Sequence, residues 1–72
     1  MTLDRVKKGQ SVKILSISDG LMRIQAIRFG FAEGAVINCE EVIPAGPIVI
    51  RRCGQQVALG RQMAGKINVA IN

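Results

Sequence analysis

Histidine, tryptophan and tyrosine are absent from this 72-residue chain, and phenylalanine, cysteine and proline occur only twice each. Without histidine, the commonest general base and metal ligand is missing. Two thiols are too few to staple a secreted miniprotein, and the opening "MTLDRVKKGQ" has no apolar h-region. Both features point to a cytoplasmic protein with reduced thiols. Uninterrupted apolar runs last a few residues, far short of the roughly 20 that cross a bilayer. No internal repeat and no low-complexity segment occurs. Ser11, Ser16 and Ser18 have no base to activate them, and no carboxylates are paired for hydrolysis. The expected function is therefore not enzymatic.

Aliphatic residues dominate what is there. The chain is 49% hydrophobic and 21% charged, enough apolar surface for a single folded domain over residues 1–72. Isoleucine and valine outweigh the aromatics, which favours strands. The net charge is +5, from ten Lys and Arg against five Asp and Glu. These charges are scattered, with Lys7-Lys8 and Arg51-Arg52 the closest clusters, so they read as a solvated surface rather than an electrostatic footprint.

Glycines cut the chain into short pieces. "SVKILSIS" (Ser11–Ser18) predicts a first strand whose alternation slips, and a bulge near Leu15 would reconcile its two halves. "DGLMRIQAIRFG" predicts a helix capped by Asp19 and stopped at Gly30. "AVINCEEVI" (Ala35–Ile43) and "IVIRRC" (Ile48–Cys53) predict strands joined as a hairpin by "PAGP". "VAL" (Val57–Leu59) and "INVAI" (Ile67–Ile71) complete the set. Five short strands and one brief helix predict a mainly β fold, a small antiparallel barrel; an open sheet with a helix laid across it is the alternative.

"GRQMAGKI" (Gly60–Ile67) lies one residue from a phosphate-binding loop. Ile67 occupies the magnesium-ligand position and coordinates nothing. The following "INVAIN" alternates as a strand, and the chain is too short for a parallel βαβ unit. The segment reads instead as one helical turn leading into the last strand, with Gly65 as its exit. Cys39 and Cys53, on adjacent predicted strands with Glu40 and Glu41 nearby, sketch a soft-ligand site for a transition metal. Two thiolates alone leave a tetrahedral site incomplete, so no cofactor is expected. Small basic barrels bind single-stranded nucleic acid by stacking bases on exposed aromatics. Phe29 and Phe31 both flank the helix stop, where core packing is the simpler expectation.

The helix is anomalous. Met22, Ala26 and Phe29 form one apolar stripe, and Leu21, Ile24 and Ile27 form a second on nearly the opposite side, with Arg23, Gln25 and Arg28 in the gaps. An ordinary surface helix has one apolar face. The second stripe is expected to meet loops of its own chain, a twin subunit or a partner. Leu21, Ile24 and Ile27 are the candidate contact residues, with Arg23 and Arg28 at their rim.

"RFGFAEGAVI" resembles the leucine-glycine-hydrophobe-x-x-glycine turn of FeoA-type ferrous iron transport proteins, with Phe29 in the leucine place. "IPAGPIVIRRCGQQVALGRQMAGKINV" resembles that family's second half: Pro44, Gly46 and Pro47, then Ala58, Leu59, Arg61 and Ala64, then Ile67 and Val69. The resemblance runs from Gly9 to Val69. Gly60 stands where an arginine is common, Glu33 replaces a frequent proline, the "AGP" turn is a residue short, and Arg52 falls where an inward apolar residue is expected. The resemblance implies an SH3-like β-barrel in bacterial cytoplasm. It also implies action beside the membrane permease FeoB, through which the chain would reach the inner membrane and whose GTPase domain would bind any nucleotide. The family is described as metal-associated, and the same module occurs in metal-dependent repressors, so the fold alone does not fix the role. The expected role is a protein-interaction module of iron uptake. A small basic nucleic-acid-binding barrel, a metal-responsive module and a homo-oligomer are the other readings.

Overall fold

β-Branched residues at alternating positions carry the chain into five antiparallel strands. They are β1 (Ser11–Ile17), β2 (Val36–Val42), β3 (Ile48–Arg52), β4 (Gln55–Leu59) and β5 (Ile67–Ile71). The computed structural model describes residues 1–72. Helix α1 (Gly20–Phe29) connects β1 to β2, and a single turn, α2 (Arg61–Ala64), connects β4 to β5. A 3-10 turn at Leu3–Arg5, which the sequence reading did not anticipate, precedes β1. The sheet order is β4-β3-β2-β1-β5, and the β2–β3 hairpin is present as expected.

Two bulges shape this sheet. The register of β1 on β5 shifts between Ile14 and Ser16, so Leu15 is the extra residue, as the broken alternation predicted. A second bulge between Cys39 and Glu41 does the same to β2 against β3. Each lets inward-facing residues recur after three positions instead of two. Ile14 and Ile17 are both buried, and Val42 joins the core that Cys39 enters. A bulged strand bends and twists more strongly, so the sheet curls around one cluster of 15 buried residues. No polar or charged residue is buried with them.

The curl stops short of closure. β4 pairs only with β3, and β5 only with β1 among the strands, so the barrel expected from the sequence is an open, strongly bent sheet. α2 joins these two outer strands along the chain and packs against the N-terminal turn. Ala64 of α2 and Leu3 of the N-terminal turn are fully buried and cap the core at that side. Gly65 leaves α2 with an ordinary helical φ of −66°, so the exit requires no left-handed residue.

Turn chemistry fixes the hairpins. In the β2–β3 loop a Cβ on Gly46 would lie 2.8 Å from Ile43 Cγ2, so only glycine fits. β3 and β4 meet through Cys53 and Gly54, both at positive φ (52° and 77°), as a type I′ hairpin turn requires. Arg61 ties the loops together. Its guanidinium donates to the Ile43 carbonyl at 3.0 Å and to the Asp4 carbonyl at 3.4 Å.

A charge-assisted hydrogen bond contributes about 1.5–3 kcal/mol. Arg61→Ala is therefore expected to lower unfolding free energy by about 2 kcal/mol, with Arg61→Lys recovering only part of the loss. Chemical denaturation checks this.

Candidate functional site

Helix α1 owes its position to its two ends. At the N-terminus the Asp19 carboxylate accepts the Met22 N–H at 3.0 Å, the expected cap. That bond, with the Lys66 ammonium at 3.5 Å adding to it, holds the Asp19 carboxyl below its ordinary range against the opposing effect of desolvation. At the C-terminus Gly30 takes φ 78°, the left-handed stop. Phe31 N–H then donates to the Ala26 carbonyl at 2.8 Å and Gly30 N–H to the Ile27 carbonyl at 3.3 Å. This pair of bonds is a Schellman motif, which brings the residue after the glycine against the helix's last inward turn. Phe31 accordingly tucks under the helix and is 6% exposed.

The two stripes meet different fates. Met22 is buried and Ala26 packs against the core, so this stripe faces inward. Phe29 departs from expectation: it is 53% exposed and Phe31 takes the core place. The last turn winds away from the sheet, and the Gly30 reversal, not the helix, delivers an aromatic to the core. Leu21, Ile24 and Ile27 are 70%, 55% and 61% exposed. No loop of the chain covers them, which removes the simplest expectation for the second stripe. Arg23 and Arg28 are exposed on the same helix, and Arg23 reaches back to the Ile17 carbonyl at 3.2 Å. No acidic residue lies in α1.

An apolar groove runs along the inward edge of α1, lined by Met22, Ala26, Phe31, Leu59, Met63 and Ile67, with Gln25 its one polar residue. Its volume of about 60 Å³ suits part of one side chain. Small-molecule and cofactor sites need roughly 300 Å³ or more. The sequence reading missed this groove, although the glycine stop at residue 30 signals the Phe31–Ala26 contact that builds one wall.

Other candidate chemistry falls apart in space. Cys39 is buried opposite Ile50, whereas Cys53 is exposed in the β3–β4 turn, beyond Arg52. The three-residue offset from Ile50 to Cys53 puts the thiols about 10 Å apart along the strands. No group of three or more His, Cys, Asp or Glu side chains converges anywhere in the chain. Burial pushes the Cys39 thiol up from its ordinary value, and the Glu41 and Glu40 charges add to the shift. The near P-loop at Gly60–Lys66 is α2, set between antiparallel strands rather than after a parallel one. Both basic pairs are partly neutralised, by Glu41 on Lys8 at 3.5 Å and Glu40 on Arg51 at 2.6 Å. Arg52, out of place as an inward residue, sits at the strand end with its guanidinium against Gly30. A long side chain can leave the core there.

A family model described as the FeoA domain matches residues 1–71. The chain belongs to the FeoA domain family. No curated protein matches it in sequence. Among solved structures it is similar to an iron uptake regulatory protein (FeoA), with a TM-score of 0.84 and 29% identity over 96% of this chain and 92% of that one. It is similar to the FeoA protein from Chlorobium tepidum, with a TM-score of 0.88 and 26% identity over 99% of this chain and 70% of that one. It is also similar to iron(II) transport protein A from Clostridium thermocellum, with a TM-score of 0.86 and 26% identity. There it covers 99% of this chain but 45% of the other. The bent sheet is thus the FeoA, SH3-like fold, and membership implies a role in ferrous iron transport. No helix is long and apolar enough to cross a membrane.

Two outcomes follow. In the native protein iodoacetamide should alkylate Cys53 and leave Cys39 untouched until denaturant is added, as mass spectrometry of the digested chain would report. For Asp19, the folded carboxyl titrates below the unfolded one, so its stabilisation is complete above the unfolded value and disappears as pH falls through the folded value. Far-UV circular dichroism should show helix loss beginning below about pH 4. Asp19→Asn, which keeps a capping oxygen, should remove this contribution to the acid transition.

Proposed function

We propose that this protein is a non-enzymatic accessory of ferrous iron import that docks on the cytoplasmic part of a FeoB-like membrane permease. In this reading it is cytoplasmic and reaches the inner membrane through that partner. Two lines support it. FeoA is a small transport-associated domain rather than a known enzyme family, and similar structures carry iron uptake and iron(II) transport names.

The observation that carries the reading is the outer face of α1. Leu21, Ile24 and Ile27 stand in solvent on a helix fixed at both ends, flanked by Arg23 and Arg28. Aliphatic anchors with a charged rim are the anatomy of a protein–protein contact, in which the centre excludes water and the rim steers approach. Because α1 carries no acid, the complementary surface is apolar with carboxylates at its edge.

The test is titration of the soluble cytoplasmic part of a FeoB-like permease from the same organism against wild type and Ile24→Glu. A buried charge at the centre of the contact should weaken binding at least about tenfold, equivalent to about 1.4 kcal/mol. Circular dichroism should stay unchanged, because Ile24 faces solvent. Equal binding by both proteins would remove the assignment of this face.

A further inference from the structure

The two edges of the sheet are treated differently by the chain. On β5, Met1 and Thr2 lie alongside as a short extra strand: Val69 N–H donates to the Met1 carbonyl at 2.7 Å, the Met1 amino group donates to the Val69 carbonyl at 3.1 Å, and Thr2 bridges Asn68. On β4 nothing does. The strand pairs residue for residue with β3, from Ile48↔Leu59 to Arg52↔Gln55, and has no partner on its other side. The two-residue turn at Cys53-Gly54 makes Arg52↔Gln55 a hydrogen-bonded pair. The alternation then leaves the N–H and C=O groups of Gln56 and Ala58 pointing away from β3. Natural edges are blunted by a lysine, a proline, a bulge or a covering segment. "QQVAL" has none of these.

We propose that the open edge of β4 pairs with β4 of a second copy of this chain, antiparallel, about a two-fold axis at Val57. In that register Gln56 faces Ala58 of the other copy and Ala58 faces its Gln56. The four outward groups on each strand are satisfied reciprocally by about four hydrogen bonds. Val57 meets Val57 on the core face, extending the row that runs from Cys39 through Ile50 to Val57. Val57 and Leu59, which pack on the core from its open side and are only half-buried, gain a cover.

Charge selects a second copy at this edge. The chain carries +5, yet β4 is neutral throughout; of the two arginines opposite it on β3, Arg51 is held by Glu40 at 2.6 Å and Arg52 lies at the turn end with its guanidinium against Gly30. Along the paired strands themselves two copies therefore meet with no like charges opposed. On the outer face of α1 a two-fold contact would set Arg23 and Arg28 against their own copies, so that face suits a different protein. A five-residue strand pair is smaller than a permanent interface, so the dimer forms and dissociates with concentration.

Sedimentation equilibrium from about 10 µM to about 1 mM should show a monomer–dimer equilibrium. Over the same range, hydrogen exchange at the Gln56 and Ala58 amides should slow at least about threefold, roughly the protection when two-thirds of chains are paired. Ala58→Pro deletes an outward N–H that bonds nothing in the monomer, and Gln56→Lys adds an edge charge. Each should keep the circular dichroism spectrum and remain monomeric throughout; Gln56→Lys decides the matter should Ala58→Pro fail to fold. A monomer at every concentration with unchanged exchange would overturn the proposal. So would a dimer that survives in the folded variants, or concentration-dependent protection at α1 instead.

Discussion

A single small core can bury only one side of a helix, and the rest of this structure follows from that limit. The 15 buried residues come from the concave side of the sheet, the N-terminal turn, α2 and the residues around α1. Helix α1 contributes Met22 and leans Ala26 on the cluster, which uses up the space beneath it. Its remaining apolar residues have nowhere to go. A domain this size buries only about 60% of the surface its unfolded chain exposes, so a second apolar stripe is surface by necessity.

The ends of α1 convert that limit into a defined face. Asp19 and Gly30 fix where the helix starts and stops, and the reversal after Gly30 anchors it through Phe31. With the inward stripe held, rotation about the helix axis is constrained, and Leu21, Ile24 and Ile27 present one patch rather than a frayed turn. The bulges at Leu15 and Glu40 matter for the same reason: by curling β1 and β2 they make the concave surface against which Met22 can pack. Preorganised apolar surface loses little conformational freedom on binding.

Much of this was legible from the residues. The slipped alternation in "SVKILSIS" encoded the β1 bulge, the Asp19 and Gly30 signals bounded α1, and the two stripes of the helix were visible at 100° per residue. What was not legible depended on long-range geometry. Barrel closure depends on whether the two outer strands β4 and β5 pair, which no local pattern records. Phe29 read as an inward residue because its helical phase matches Met22, yet the final turn diverges from the sheet. The β2 bulge was hidden because Cys39, Glu40, Glu41 and Val42 contain no apolar run whose phase could break. The separation of Cys39 from Cys53 followed from a register that sequence distance alone leaves open.

The central claim is that the Leu21, Ile24 and Ile27 stripe contributes nothing to the core. Thermal unfolding of the triple variant Leu21→Gln, Ile24→Gln, Ile27→Gln beside the single variant Met22→Gln tests it directly. The account predicts that the triple variant keeps its melting temperature within about 4 °C of wild type, a shift below about 1 kcal/mol for this size, while Met22→Gln melts clearly lower. A triple variant that loses as much stability as Met22→Gln would contradict it, because those three side chains would then belong to the interior.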